Sequence, residues 1–338
     1  ADRRVSSLMS PRSREEIRKR AEAEVRRVRA DMYDVSRRAL KDSKHAPPMP
    51  DGPTPAQQQA VIEAALELAY AQRPAREDVV KLARMTLEET TEFARAKDFV
   101  TVPDEPLEII LMPEFQRGVA VAYCDSPGPL DKGQRTFYAV SPIPEDWTDE
   151  KVDSVLREYN SRSIANLTIH EAMPGHYLQL AHSNRYPSVL RAMLYSGPFI
   201  EGWAVYSERV MHEQGFRAGD PLIWLVQLKW YLRAVTNAII DSAIHVDGMT
   251  REQAMQLMTE TGFQEESEAA GKWVRAQLTS AQLSTYFVGY QEHADLRAET
   301  QARRKNDFDI KRYHDEVLSY GSPPVRFVRA LLLDEPIE

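Results

Sequence analysis

One stretch near the middle of the chain, TIHEAMPGHYLQ at residues 168–179, constrains the fold more than any other part of the sequence. It holds two histidines, with a glutamate directly after the first. Imidazole nitrogens are favoured zinc ligands, and a neighbouring carboxylate can take the proton from a metal-activated water. In the familiar helical form of this motif, the two histidines lie four residues apart on one face. Here His176 comes six residues after His170, and Pro174 stands where the second ligand is expected.

This irregular spacing predicts a break in the helix. At about 100° per residue, a residue six positions on points about 240° away from the first. Pro174 also lacks an N–H, and its ring would clash with the carbonyl of His170 inside a regular helix. If the chain bulges or breaks at residues 173–175, His176 returns to the phase of an i+4 residue and both imidazoles can reach one ion. The alternative is a helix that ends at Met173 and two ordinary polar histidines, and this stretch alone leaves both open.

A second stretch, PFIEGWAVYSE at residues 198–208, supports the metal interpretation. It predicts a helix that ends at Gly215. Glu201, Glu208 and His212 share one face of that helix, at steps of seven and four residues. A catalytic zinc takes three protein ligands and keeps one open position, and a helix hairpin could return Glu201 to the histidines. A solvated helix face that carries charges is the alternative.

Together, HEAMPGHYLQ and EGWAVYSE resemble the bacterial domain of unknown function 885 family, whose members are regarded as zincin-like metallopeptidases. Further matching segments lie downstream: DSAIH at 241–245, GMTREQA at 248–254, YFVG at 286–289, YHDEVL at 313–318 and GSP at 321–323. The resemblance extends from about residue 12 to about residue 333. Family members usually carry more helical sequence upstream. The resemblance implies a zincin-like helical fold, peptide hydrolysis and one zinc ion per chain.

The metal chemistry and the resemblance assign roles to five residues. His170, His176 and Glu201 are predicted to bind Zn²⁺. Glu171 is predicted to be the general base, because it follows a ligand directly and points beside the ion instead of at it. Glu208 is expected to lie behind the ligands and to orient them.

A zinc hydrolase also needs a hydrogen-bond donor for the oxyanion of its tetrahedral intermediate. Tyr286 is one candidate, although a tyrosine in this position is more often a core or rim residue. His245 is another candidate, either as this donor or as a partner behind the ligands, oriented by Asp241 four residues earlier. A purely structural Asp241–His245 pair is the alternative.

Arginines in the second half of the chain are candidates for substrate binding. A carboxypeptidase needs a cation for the terminal carboxylate of its substrate, and an arginine binds carboxylates well. Arg233, Arg297 and Arg312 are the candidates.

The composition and patterning predict a mostly α protein. Only 14 glycines occur in 338 residues, which favours helices over a turn-rich β architecture. Residues 101–147 differ, because LEIILM at 107–112, GVAVAY at 118–123 and RTFYAV at 135–140 are short, strand-like and bounded by proline or glycine. We predict a small antiparallel sheet there, directly before the metal-binding helix. In zincins such a sheet offers an edge to an extended substrate, which the resemblance implies here too.

The chain is predicted to form one compact domain with two regions. Residues 1–100 form an N-terminal helical region, with a basic first helix opened by a capping box at Ser13 and a proline-rich linker near 45–55. Residues 101–338 form the catalytic region. The basic helix lacks interleaved aromatic residues and nucleic-acid-binding motifs, so we expect no nucleic-acid partner.

Several classes of protein are excluded by what the sequence lacks. The single Cys124 excludes an internal disulfide and a thiolate metal cluster. The chain contains no run of 18 apolar residues, so no transmembrane segment is predicted. No signal peptide is visible in this chain, although an upstream region could carry an export signal. Localisation and oligomeric state are therefore left open.

Three function classes remain. The first is a zinc-dependent peptidase, whose substrate and choice of peptide terminus the sequence does not reveal. The second is a di-iron carboxylate protein, which binds its metals with Glu-x-x-His pairs spaced i, i+3. The pairs in this sequence, Glu208–His212 and Asp241–His245, are instead spaced i, i+4. The third is an inactive helical scaffold or binding protein that keeps the motif as structure.

Overall fold

The computed structural model describes residues 7–117, 121–128, 130–131 and 133–337. The following helices lie before residue 194: α1 Arg14–Leu40, α2 Pro55–Tyr70, α3 Val79–Lys97, α4 Asp149–Glu158, α5 Ser161–Glu171, α6 His176–Ser183 and α7 Val189–Met193. Those that follow are α8 Gly197–Glu213, α9 Pro221–Ser242, α10 Arg251–Gln256, α11 Glu266–Leu278, α12 Ser284–Arg304, α13 Ile310–Ser319 and α14 Val325–Leu332. The strands are β1 Leu107–Leu111, β2 Ala122–Asp125 and β3 Thr136–Val140.

The prediction of a mostly α protein is confirmed, since 66% of the chain is helical. Local sequence accounts for many helix starts. Ser13, Thr54 and Thr250 each form a capping box, in which the hydroxyl accepts from the backbone N–H three residues on and that residue's side chain accepts in return. These caps satisfy backbone donors that a helix N-terminus would otherwise leave without partners.

The small sheet lies where it was predicted, but the prediction that it is antiparallel is wrong. The strand order is β1-β3-β2, with β2 antiparallel to β3 and β1 parallel to β3. After β1 the chain crosses to the far edge of the sheet before it returns through the middle, so the first and last strands run in the same direction. Alternating side chains predict that a segment is a strand, but they do not select its partners. Of the strand predicted at 118–123, residues 118–120 lie outside the described residues.

Helices from the start of the chain share a hydrophobic core with most of the later helices, apart from a smaller cluster around Met258. This core extends from Leu8 to Leu332 and includes the apolar face of the basic helix α1, which packs along α9. Helix α5 lies between α3 and α8, and α8 packs against α12. This packing surrounds the histidine motif with helices on several sides. The division into regions at residue 100 stays a prediction.

None of the described helices combines the length and the apolar composition that a membrane span requires.

Candidate metal centre

The helix is interrupted inside the histidine motif, as the proline and the spacing predict. Helix α5 ends at Glu171 and α6 begins at His176. Two contacts hold the connecting turn: Gly175 N–H donates to the Ile169 carbonyl at 2.9 Å, and Trp203 Nε1–H donates to the Pro174 carbonyl at 2.9 Å. A Cβ at Gly175 would lie 1.9 Å from the carbonyl oxygen of His170, so only glycine fits this turn.

The break brings the two histidines together beside a glutamate of α8. The imidazole rings of His170 and His176 are perpendicular, with centroids 4.8 Å apart. Glu201 Oε2 lies 3.6 Å from His170 Nε2 and 3.4 Å from His176 Nε2. Two ligand atoms that share a tetrahedral zinc ion at ~2.0–2.2 Å are roughly 3.3–3.6 Å apart. The distances from Glu201 to both histidines therefore fit a single ion of this size.

Glu208 orients the first of these histidines. Its Oε1 lies 2.8 Å from His170 Nδ1, and its Oε2 accepts a hydrogen bond from Asn166 Nδ2 at 2.9 Å. With Nδ1 facing this buried carboxylate, Nε2 is the nitrogen of His170 that faces Glu201 and would be left for a metal ion. His176 differs, because its buried Nδ1 has no partner among the described residues.

The three carboxylates of this centre attract positive charge. Burial lowers the pKa of His170, but hydrogen bonds to Glu201 and Glu208 outweigh that effect and raise it to about 10. Burial raises the pKa of Glu201, but the two imidazoles outweigh it and hold that pKa well below its usual range. No lysine or arginine of the described chain forms an ion pair with Glu171, Glu201 or Glu208; the ion pairs of Glu201 and Glu208 are to histidines only. A divalent cation would supply the missing charge.

Glu171 lies beside the three ligand atoms without joining them. The group whose donor atoms converge within 4.8 Å consists of His170, His176 and Glu201. Burial raises the pKa of the Glu171 carboxyl, and Glu201 adds to this, while the imidazoles and the backbone amide of Cys124 lower it. Strand β2 therefore runs past the candidate base, and its backbone faces the site.

Tyr286 also lies at the centre. Its ring centroid is 6.4 Å from that of His170. Its phenol oxygen accepts hydrogen bonds from Arg275 Nη2 at 3.1 Å and from Gln282 Nε2 at 3.3 Å. Burial and the nearby Glu201 raise the pKa of Tyr286 to about 12, so the phenol keeps its proton at neutral pH. With its oxygen occupied as an acceptor, Tyr286 has its O–H free to donate.

Two glycines set the distance between this tyrosine and the ligands. Gly202 follows Glu201 on α8, and Gly289 follows Tyr286 by three residues on α12. A Cβ at Gly202 would lie 2.3 Å from the Gly289 carbonyl carbon, and a Cβ at Gly289 would lie 1.9 Å from the Pro198 carbonyl oxygen. The two helices therefore touch backbone to backbone, which brings Tyr286 to the site. No local pattern in the sequence pointed to Arg275 or Gln282.

The predicted Asp241–His245 pair is wrong. Asp241 accepts from Ser284 N–H at 2.9 Å and from Ser284 Oγ–H at 2.7 Å, which fixes the start of α12. His245 is exposed, and its Nε2 lies 2.8 Å from the Ala276 carbonyl oxygen. The helix widens to π geometry at Ala243–Asp247, so the i, i+4 register on which the prediction depended is lost. Asp241 thus contributes to the site only by holding the helix that bears Tyr286.

The arginines predicted to bind substrate are engaged elsewhere. Arg233 Nη2 lies 3.0 Å from Glu268 Oε1, and Arg297 Nη1 lies 2.6 Å from Glu213 Oε2. Arg312 is on α13, which carries none of the three convergent ligands. Internal ion pairs therefore occupy both Arg233 and Arg297, and neither is the free cation that a substrate carboxylate would need.

The arrangement does not resemble a di-iron centre. His212 stacks on Trp224 with ring centroids 3.6 Å apart, away from the pairing that the di-iron hypothesis required. In the described part of the chain, His170, His176 and Glu201 are the one group of three side chains suited to a metal ion.

Comparisons with known proteins give a family and solved relatives. The family model described as "Bacterial protein of unknown function (DUF885)" matches residues 4–332. A "putative lipoprotein of unknown function" from Shewanella oneidensis is 36% identical, with a TM-score of 0.86, and the match covers 98% of this chain and 58% of that one. A "putative lipoprotein" from Colwellia psychrerythraea is 24% identical, with a TM-score of 0.82, over 98% of this chain and 54% of that one. This chain thus spans little more than half the length of these relatives. No curated protein matches it.

Proposed function

This chain belongs to the DUF885 family, and we propose that it is a zinc-dependent hydrolase that cleaves peptide bonds, with Glu171 as general base. The family resemblance predicted from the two motifs is confirmed by the match over residues 4–332. The observation that carries the proposal is the convergence of His170, His176 and Glu201 on one point, with Glu171 beside them. A zincin-like mechanism is part of the proposal.

The donor set fits a catalytic zinc ion. Two imidazoles and one carboxylate leave a tetrahedral ion one open position, and the buried Glu208 behind His170 is the kind of outer partner that such sites use. When bound, zinc would lower the pKa of a water to about 7 and polarise a substrate carbonyl. Glu171 would take the proton from that water and return it to the leaving amine.

Tyr286 is proposed to stabilise the oxyanion. Its O–H is free to donate, because Arg275 and Gln282 already donate to its oxygen. Its high pKa keeps the proton in place at neutral pH, so it acts as a hydrogen-bond donor and not as a base.

The sheet supports a peptide as the substrate. Strand β2 lies at one edge of the sheet and pairs only with β3 among the described strands. Its backbone runs past Glu171, so an extended peptide could add to this edge with its scissile bond at the metal. Peptide cleavage is also what the family resemblance implies.

The experiment is a comparison of Glu171→Gln with Glu201→Gln. Glu171→Gln should fold, bind about one zinc per chain as the parent does, and lose peptide-hydrolysis activity by at least ~10²-fold, because it keeps the shape but removes the base. Glu201→Gln should weaken zinc binding, because it removes an anionic ligand.

Zinc content by elemental analysis and cleavage of a peptide library by mass spectrometry provide the two readouts. An active Glu171→Gln would overturn the assignment of the base. A parent that binds zinc but cleaves no peptide would favour the inactive-scaffold alternative.

A further inference from the structure

Beside the candidate metal centre lies a cavity of about 270 Å³. Its walls come from the elements that carry the centre. Leu180 and Ser183 follow His176 by four and seven residues on one face of α6, and Ile200 directly precedes Glu201. Residues 126–128, which continue from β2, form another wall. The cavity therefore shares α6 and α8 with the candidate metal centre.

Arg191 is the charged residue that lines the cavity, and no aspartate or glutamate is among the lining residues. Its Nη1 donates to the Tyr320 carbonyl, and its guanidinium lies 4.7 Å from the ring centroid of Tyr186. These two contacts fix the position of the guanidinium. In the part of the chain that the structure describes, its Nε and Nη2 have no hydrogen-bond partner, and no carboxylate forms an ion pair with it.

A nearby arginine shows what this free edge can bind. Arg185 uses the same pair of nitrogens, Nε and Nη2, to hold Glu105, with Nη2 2.9 Å from Oε2 and Nε 3.3 Å from Oε1. Side-by-side N–H groups of this kind match the two oxygens of a carboxylate. Arg233 and Arg297 are likewise paired with glutamates of the chain. Arg191 differs from all three in that a pocket, not a carboxylate of the chain, lies before it.

The surroundings of Arg191 also favour an apolar neighbour in the ligand. Helix α7 and the residues after it expose a group of large apolar side chains, each at least 59% accessible: Val189, Leu190, Met193, Leu194 and Tyr195. Exposed apolar residues that cluster beside a cavity are typical of a ligand-binding rim.

We propose that the Arg191 cavity binds a carboxylate of the peptide substrate, supplied either by its C-terminus or by an acidic side chain next to the scissile bond. This inference rests on the proposed function, since it treats the neighbouring metal centre as the place of cleavage. Arg191 would thus fill the role for which Arg233, Arg297 and Arg312 were the candidates in the sequence.

The test is peptide binding, measured separately from cleavage. Zinc-loaded Glu171→Gln protein is immobilised and exposed to three matched pools of N-acetylated hexapeptides, and retained peptides are quantified by mass spectrometry. One pool has free C-termini, one has amidated C-termini with a single glutamate, and one is amidated and neutral. Retention of the first pool over the third identifies a terminal carboxylate, and retention of the second identifies an acidic side chain.

Arg191→Gln, added to the same background, should reduce the retention of the favoured acidic pool by about 10- to 100-fold and leave the neutral pool unchanged. Arg191→Lys keeps the charge but loses the forked pair of N–H donors. Its retention of the acidic pool should therefore lie between that of the background with Arg191 intact and that of Arg191→Gln. Arg185→Gln is the matched control, because that arginine lies outside the cavity. Melting temperatures and zinc content show that each variant is folded and loaded.

Equal retention of all three pools would overturn the proposal, and so would an acidic preference that survives Arg191→Gln. The result also separates this inference from the proposed function. If parent protein cleaves none of the peptides while the acidic preference still depends on Arg191, the hydrolase proposal fails and the carboxylate site stands.

Discussion

Two clusters of buried and half-buried charged side chains differ in how their charges are balanced. The first, called the ion-pair cluster, consists of Glu158, Lys229, Arg233, Glu268 and Lys272. Each of its two carboxylates has a cationic partner. Lys229 Nζ lies 2.7 Å from Glu158 Oε2, and Arg233 Nη2 lies 3.0 Å from Glu268 Oε1. These pairs tie α4, α9 and α11 together.

The second is the histidine–glutamate cluster, which consists of His170, Glu171, His176, Glu201 and Glu208. Among the described residues, Glu201 and Glu208 form ion pairs only with imidazoles, and Glu171 forms none. A buried charge without a partner is costly, and proteins retain such charges where they bind ions or do chemistry. Buried charge alone therefore does not indicate a functional site, whereas an imbalance of buried charge does.

The largest expected effect on stability comes from breaking the balanced cluster. Lys229→Met should lower the free energy of unfolding by about 3–5 kcal/mol, because it leaves the Glu158 carboxylate buried without its lysine. Urea denaturation measures the change. Adding Glu158→Gln to this variant should recover part of the loss, and zinc affinity should stay at the parental value. A loss below about 1 kcal/mol would mean that the pair is not what ties these helices together.

Metal addition should produce the next effect, in the unbalanced cluster alone. Zinc at about 1,000 times its dissociation constant should stabilise the metal-free protein by about 4 kcal/mol. Glu201→Gln should reduce this gain, whereas Lys229→Met should keep it. Thermal unfolding with and without zinc, after chelation, checks both statements. A parent whose unfolding does not respond to zinc would remove the basis for the comparison.

Glu208 provides a smaller and more specific test. Glu208→Gln should weaken zinc affinity by about 10- to 100-fold, because the amide holds the His170 Nδ1–H less strongly than the carboxylate does. Competition with a chromogenic chelator measures the affinity. Glu213→Gln is a matched control, since Glu213 lies on the same helix but pairs with Arg297. Equal affinities for the two variants would show that Glu208 does not orient the ligand.

The smallest effect is a pH dependence of the ion-pair cluster. Burial, together with the nearby Arg233, lowers the pKa of Lys272 from 10.5 to about 7, although Glu268 opposes the shift. Between these values the unfolded chain binds a proton that the folded chain does not, so stability should rise with pH there. Below about 7 the lysine is charged in both states and this contribution is constant.

The matched variant for this test is Lys272→Met. Between pH 7.5 and 9.5 the parent should gain stability relative to Lys272→Met, by at most about 1.4 kcal/mol per pH unit. Denaturant midpoints at several pH values measure the difference. If the difference in stability between the two proteins stays constant across this pH window, Lys272 is charged in the folded protein.

Sequence alone determined the features that depend on local chemistry. Pro174 and the six-residue spacing of the histidines required the helix to break, because a proline ring cannot follow the His170 carbonyl inside a helix. Ser13 predicted a helix start through its capping box, and the low glycine content favoured helices. The sequence also predicted that His170 and His176 could meet if the helix breaks between them, since helical phase relates residues that are close along the chain.

Only the tertiary structure decided which distant groups meet. Arg275 and Gln282 reach the phenol of Tyr286 because α12 and α8 touch at Gly202 and Gly289, a contact that no local pattern announces. The same holds for the parallel pairing of β1 with β3, since side-chain alternation leaves the choice of partner strand open.

The arginines show the same division. Arg191, Arg233 and Arg297 are chemically equal in the sequence, and what separates them is whether a glutamate of another helix reaches them in the folded chain. The sequence therefore determined which residues can bind a metal or a carboxylate. Packing between distant helices determined which of them are free to do so, because the energy of a charged group depends on the partners that surround it.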